Sequence, residues 1–156
     1  MKLRKKIILS LALVMTLNAG LACTTPQASP LADKTWLSPG KIQVSNLLPG
    51  NSVKQKITIH NGSEAATAFL VYYRIPDYVE NSFAVAPGSA RDWIKIGEES
   101  PVLAPKETRE IQVVLDLPDK AQTPERWEFW IGVRENKGNM LTTELCSRWL
   151  ITMRGN

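Results

Sequence analysis

The sequence predicts an all-β fold. Apolar and polar residues alternate with a period of two through most of the chain after residue 40. Ile57 and Ile59, for example, alternate with Lys56 and Thr58, which is the spacing of a half-buried strand. No segment shows the 3.6-residue spacing of an amphipathic helix. Short strands separated by turn residues predict a seven-stranded, Ig-like antiparallel β-sandwich.

The seven predicted strands are bounded by turn signals such as Asn61-Gly62-Ser63 and Pro118-Asp119. They span residues 41–45, 53–60, 68–75, 93–96, 109–117, 127–134 and 145–153. Together they predict a single domain over residues 39–154. The Cys–Trp–Cys pattern of antibody domains is missing from the sequence, so the predicted sandwich lacks the disulfide of those domains.

Residues 1–22 have the organisation of a bacterial signal peptide. Four basic residues precede an apolar run over residues 7–15, and small residues follow at positions 19, 20 and 22. The alternative is a retained membrane helix, which needs about 20 predominantly apolar residues. Thr16, Asn18 and Gly20 interrupt the run too early for that. The sequence therefore predicts export.

The net positive charge of the chain comes from this segment. Residues 1–22 hold four of the 19 Lys and Arg residues and none of the 15 Asp and Glu residues. The remainder carries 15 charges of each sign and is formally neutral. Nucleic-acid binders keep a basic excess, so we expect no nucleic-acid partner.

Cys23 is a candidate for lipid attachment. Gly20-Leu21-Ala22-Cys23 resembles the lipobox of bacterial lipoproteins, although Gly20 stands where that family usually has leucine. The resemblance implies a diacylglyceryl group on the Cys23 thiol. Residues 23–38 begin with a polar, proline-containing stretch and are predicted to form a flexible tether. Cleavage after Ala22 without lipidation, or a Cys23–Cys146 disulfide in an oxidising compartment, remains open.

Five segments of the predicted domain resemble bacterial Ig-like surface domains. They are Leu48-Pro49-Gly50-Asn51-Ser52, His60-Asn61-Gly62-Ser63, Trp93-Ile94-Lys95-Ile96, and the turn from Leu103 to Thr108 followed by Leu117-Pro118. Pilus-chaperone N-terminal domains and the domains of WxL-type cell-wall proteins share this arrangement. The similarity covers residues 37–153. Because its motifs are turn and core signatures, it implies a fold far more than a function.

Catalytic and metal-binding patterns are weak in this sequence. His60 is the single histidine and stands at a predicted strand end beside a turn, where a polar structural role is expected. The chain has no CxxC motif, no histidine-rich tract and no glycine-rich phosphate loop. We therefore expect no enzymatic activity, no cofactor and no metal. Cys146, on the last strand, is expected to be a half-buried and unreactive thiol.

The strand registers predict one candidate binding surface. In a seven-strand Ig-like topology the third, sixth and seventh strands share a sheet. Its outer face would carry Trp130 at the centre, surrounded by Tyr72, Arg74, Arg134 and Arg148. Aromatic and arginine residues dominate binding hot spots. Two structural alternatives remain: the aromatic residues stabilise the sheet locally, or Trp36 and Leu37 of the tail fold over them.

The sequence thus predicts a non-catalytic, exported and lipid-anchored Ig-like domain that contacts a protein or cell-wall partner. The alternative is an envelope assembly factor, chaperone-like, that acts by β-strand addition. Without lipidation, the same domain would be soluble in the periplasm or secreted.

Overall fold

The computed structural model describes residues 34–137 and 143–154, so the signal segment and Cys23 lie outside the described residues. Ten strands and one short helix follow in chain order. They are β1 (Trp36–Ser38), β2 (Lys41–Leu47), β3 (Ser52–His60), β4 (Thr67–Arg74), β5 (Ala84–Val85), α1 (Ala90–Trp93), β6 (Ile94–Ile96), β7 (Val102–Leu103), β8 (Thr108–Asp116), β9 (Arg126–Glu135) and β10 (Glu144–Met153).

The strands form two sheets, which confirms the predicted Ig-like β-sandwich. The first sheet has the order β1-β3-β8-β6, and the second has the order β2-β10-β9-β4-β7 with β5 beside β9. Most neighbours are antiparallel, whereas β2 pairs in parallel with β10 and β5 in parallel with β9. The third, sixth and seventh predicted strands are β4, β9 and β10, and they lie side by side in the second sheet.

The core lies between the two sheets and follows the period-two pattern. The first sheet contributes Ile57 and Ile59 from β3 and the apolar residues of β8. The second sheet contributes three large aromatic side chains, Trp127, Phe129 and Trp149, all fully buried. Phe129 stacks on Trp149 with ring centroids 5.3 Å apart. The burial of each apolar side chain of this size contributes roughly 2–3 kcal/mol to the stability of the fold relative to exposure.

The folded part begins before residue 39, because residues 36–38 belong to the sandwich instead of the tether. β1 pairs with the end of β3, where Trp36 lies opposite His60. The indole stacks on the imidazole with ring centroids 5.3 Å apart. Trp36 and Leu37 therefore extend the first sheet at its edge, and they do not fold over Trp130 as one alternative supposed. A cis Ser38–Pro39 peptide bond separates β1 from β2, where the chain passes from one sheet to the other.

Three short strands were not predicted, because two or three residues are too few to show a period. These are β1, β5 and β7. The predicted strand over 93–96 begins at Ile94, since Trp93 ends the four-residue helix α1. Among the described residues, no helix is long and apolar enough to cross a membrane.

Candidate functional site

The second sheet brings all five predicted site residues onto its outer face. Three rows of side chains cross β4, β9 and β10 in register. The rows are Arg74–Trp130–Arg148, Tyr72–Gly132–Cys146 and Leu70–Arg134–Glu144. The sequence pattern placed these side chains correctly, because successive residues of a strand alternate between faces.

Half of this face is covered by the loop between β4 and β5, residues 75–83, which we call the strap. The Tyr78 and Trp130 rings form a T-shaped pair, with their centroids 5.1 Å apart and their planes at 79°. Arg74 lies over Trp130 at 5.5 Å, and Arg148 lies over Tyr78 at 5.7 Å. As a result Trp130 is only 5% exposed, whereas Tyr78 is 64% exposed. Trp130 is therefore not the accessible centre of this face.

Glu128 fixes the strap to the sheet. Its carboxylate is fully buried and accepts hydrogen bonds from Trp130 Nε1 at 2.6 Å, from Arg148 Nε at 2.7 Å and from the Glu80 backbone N–H at 2.8 Å. Burial alone would raise the pKa of this carboxyl group, but its hydrogen bonds to Arg148, to the Glu80 backbone and to Trp130 outweigh burial and lower the pKa. Glu128 is thus a buried, ionised anchor.

The other half of the outer face is open to solvent and carries an ordered polar cluster. The Arg134 guanidinium lies 5.4 Å from the centroid of the Tyr72 ring. The Tyr72 hydroxyl donates to Glu144 Oε1, and Arg74 Nη1 donates to Glu144 Oε2. Burial and the bond to Glu144 raise the pKa of Tyr72 to about 12. We call Tyr72, Arg134 and Glu144 the open cluster.

Gly132 makes room for this cluster. A Cβ atom at Gly132 would lie 3.0 Å from Tyr72 Cζ and 2.7 Å from Glu144 Oε1. The Tyr72 ring and the Glu144 carboxylate therefore occupy the space that a side chain in the middle of β9 would fill. Cys146 lies in the same row, half-buried, with Sγ 3.7 Å from Arg74 Nη1. Burial and the nearby Glu144 carboxylate raise the pKa of this thiol, so at neutral pH Cys146 is not a reactive thiolate.

A groove runs beside the open cluster, along the edge of β4. Two adjoining cavities of about 470 and 230 Å³ share Tyr72, Tyr73 and Arg91 in their walls. The larger one extends to Gly88, and the smaller one reaches Ile94, Ile96 and Glu99 on the other side of the sandwich. We call the two together the edge groove.

His60 has a structural role at the end of β3. Its Nδ1 lies 2.9 Å from Thr108 Oγ1, and its ring is covered by Trp36. Within residues 34–137 and 143–154, no three His, Cys, Asp or Glu side chains are close enough together to hold a metal ion.

Sequence reasoning missed Glu128, the strap and the edge groove. Glu128 looked like an ordinary outward-facing charge between two core aromatic residues. The available signal was the length and composition of the strap, which carries Tyr78, Val79 and Phe83 where a simple connection needs no apolar residues.

Comparison with known proteins identifies the fold. No protein-family model and no curated protein matches the sequence. Among solved structures, the chain is similar to the ASH/PapD-like domain 7 of human CEP192, with a TM-score of 0.58 and 12% identity over 94% of this chain and 97% of that one. It is also similar to the periplasmic chaperone SfaE, with a TM-score of 0.53, 10% identity and coverage of 78% and 58%.

The E. coli chaperone DraB is a third similar structure, with a TM-score of 0.52, 9% identity and coverage of 77% of this chain and 55% of that one. The chain thus spans little more than half the length of either chaperone. At such low identity the likeness concerns the fold alone. The described domain has a PapD-like, Ig-like β-sandwich fold.

Proposed function

We propose that this chain is a non-catalytic, exported binding domain that a lipid on Cys23 holds at a membrane surface. It contacts a protein or cell-wall partner through the open half of the outer face. The observation that carries this proposal is the open cluster, where Tyr72 and Arg134 are held in place by Glu144 and stacking before any partner arrives. Pre-ordered tyrosine and arginine side chains bind with little loss of conformational entropy.

The lack of a catalytic role is supported by the engagement of His60 with Thr108 and Trp36. Its imidazole lies inside the structure of the first sheet and is 8% exposed. A general base must reach the proton of a bound substrate, and this position offers no such access.

The partner surface is tested by capture experiments with Tyr72→Ala and Arg134→Ala. The immobilised protein is incubated separately with purified peptidoglycan and with solubilised envelope proteins. Lys54→Ala is the matched control, because Lys54 is exposed on β3 in the first sheet. We expect the open-cluster variants to lose a specific partner that the control retains. Equal capture by all three variants would contradict the proposed surface.

The lipid is tested by mass spectrometry of the mature N-terminus. A diacyl-modified Cys23 is the expected result, and it would place the domain on the extracytoplasmic face of a membrane. An unmodified Cys23 joined to Cys146 would instead indicate a soluble periplasmic or secreted protein.

The second candidate is a chaperone-like assembly factor that acts by β-strand addition. It is favoured by the last residues of β4, because the pairing of β4 with residues 99–103 ends at Val71. Proline at an exposed edge strand should then weaken partner capture more than the open-cluster substitutions, since proline removes a backbone donor.

A further inference from the structure

The smaller cavity of the edge groove lies between β4 of the second sheet and β6 of the first. Its volume is about 230 Å³, below the range of about 300–1,000 Å³ that is typical of sites for drug-sized ligands. Val71 in its wall is buried, and Ile94 and Ile96 are half-buried and pack against the core. The cavity therefore has apolar walls that the core holds in place, and its size suits a small molecule.

Two opposite charges line this cavity without pairing with each other. Arg91 and Glu99 are both exposed and both belong to its walls. Neither forms an ion pair with any residue in the described part of the chain. Lys95 and Glu98, by contrast, each have an oppositely charged partner on β8. The cavity thus offers one cation and one anion to a ligand that carries both charges.

Tyr73 adds a hydrogen-bonding group close to Arg91. Its ring stacks on Phe129 with centroids 6.0 Å apart, and its hydroxyl has no hydrogen-bond partner among the described residues. Burial raises the pKa of Tyr73, and the positive charge of Arg91 partly opposes this increase. The hydroxyl is therefore protonated at neutral pH, and it can donate to an anion that Arg91 binds.

We propose that this cavity binds a small zwitterion, specifically an α-amino acid with an apolar side chain. The carboxylate of the ligand pairs with Arg91 and accepts a hydrogen bond from Tyr73. Its ammonium group pairs with Glu99, and its side chain lies against Ile94 and Ile96. A ligand with a single charge would shield one of the two charged residues from water without replacing the lost hydrogen bonds, which lowers affinity. The site adds a small-molecule ligand to the proposed contact with a partner.

Leucine is the first probe, titrated into the mature chain carrying Cys23→Ser and followed by NMR at Tyr73, Ile94 and Ile96. Two analogues each lack one charge: 4-methylpentanoate has no ammonium group, and 3-methylbutylamine has no carboxylate. We expect saturable shifts with leucine and binding at least roughly tenfold weaker for either analogue. The inference is overturned if leucine gives no saturable shift up to about 10 mM, or if all three probes bind equally.

Arg91→Gln and Glu99→Gln assign the two charges of the ligand to the two side chains. Each variant should weaken leucine binding at least roughly tenfold, while thermal unfolding stays unchanged because both positions are exposed. Arg91→Gln should leave the weak binding of 3-methylbutylamine unaltered, and Glu99→Gln should leave that of 4-methylpentanoate unaltered. Lys54→Gln and Glu125→Gln are matched controls at exposed positions outside the cavity. Leucine binding that neither cavity variant weakens would refute the assigned site.

Partner capture separates this inference from the proposed function. Arg91 and Glu99 lie outside the open cluster, so their glutamine variants should capture the partner as well as wild type does. If they lose the partner and the wild-type chain binds no leucine, the two charges belong to the partner surface and the amino-acid site is wrong. If leucine binds while Tyr72→Ala and Arg134→Ala capture as well as Lys54→Ala, the cavity site stands and the proposed partner surface fails.

Discussion

Replacement of Glu128 by alanine is expected to lower the free energy of unfolding by about 3–5 kcal/mol, the range for breaking a buried ion pair. The substitution removes a buried carboxylate that accepts hydrogen bonds from two side chains of the sheet and from the Glu80 backbone N–H of the strap. Trp130 Nε1 and the Glu80 N–H lose their partner. Arg148 loses two bonds, from Nε at 2.7 Å and Nη2 at 3.1 Å.

The magnitude follows from the burial of these groups. Each buried donor without a partner costs about 1–3 kcal/mol, and the indole nitrogen belongs to a residue that is nearly inaccessible. The two bonds lost by Arg148 should contribute less to the destabilisation, because its side chain is partly exposed to water. In addition, Glu80 Oε2 lies 3.6 Å from Arg148 Nη2 and remains as an ionic partner. Glu128→Gln keeps the shape of the side chain but loses its charge, so its effect should fall between those of alanine and wild type.

Urea unfolding followed by tryptophan fluorescence measures this loss. The matched control is Glu110→Ala on β8, which breaks an ion pair with Lys56. The side chains of Glu110 and Lys56 are 58% and 66% exposed. That change should cost less than about 1 kcal/mol, as exposed pairs do. If Glu128→Ala were no more destabilising than Glu110→Ala, the buried carboxylate would not be an anchor and the reasoning would fail.

The same carboxylate gives a pH dependence of known sign. The folded-state pKa of Glu128 lies below its ordinary value of 4.5, so folding favours the ionised form. Its contribution is complete above the unfolded-state pKa and is lost as the pH falls through the lower, folded-state pKa. The stability difference between wild type and Glu128→Gln should therefore shrink on acidification. A difference that grew toward low pH would contradict the direction of the shift.

Three other substitutions test separate parts of the fold. Gly62→Ala places a Cβ 2.2 Å from the backbone carbon of Lys34 and should lower stability by roughly 1–3 kcal/mol, measured by thermal unfolding, whereas Gly88→Ala should not. Asn61→Asp replaces an amide that donates to three backbone carbonyls and should cost at least about 2 kcal/mol in urea unfolding; an unchanged midpoint would contradict this. The Cys23→Ser variant leaves Cys146 as the single cysteine of the chain. Its thiol should react with a thiol reagent at pH 8 roughly tenfold more slowly in the folded protein than in the urea-unfolded protein.

The strands were predictable because their signal is local. In β3 and β8, apolar residues at every second position direct Ile57, Ile59 and Ile111 into the core regardless of the remaining chain. β1 depends on a partner instead, since three residues acquire a defined position only when Trp36 lies against His60. The predicted tether therefore extended too far, to residue 38.

The burial of Glu128 could not be predicted for a related reason. A glutamate on the outer face of a strand is normally solvated, and only the strap, 48 residues earlier in the chain at Glu80, changes that environment. Such long-range coverage leaves no periodic pattern. The outer-face rows themselves followed from register, which is why the composition of the face was predictable while its exposure was not.

The two halves of the outer face differ in solvent exposure because one half carries large apolar side chains and the other carries polar ones. Trp130 and Leu150 present large apolar surfaces, and both are nearly fully buried. Tyr72 has a polar end bonded to Glu144 and a ring shielded by Arg134, so that half is stable in water. Trp130→Ala should consequently report on folding stability through the strap, not on partner capture. A partner search is best directed at Tyr72 and Arg134, because substitutions there should test the proposed binding without unfolding the sandwich.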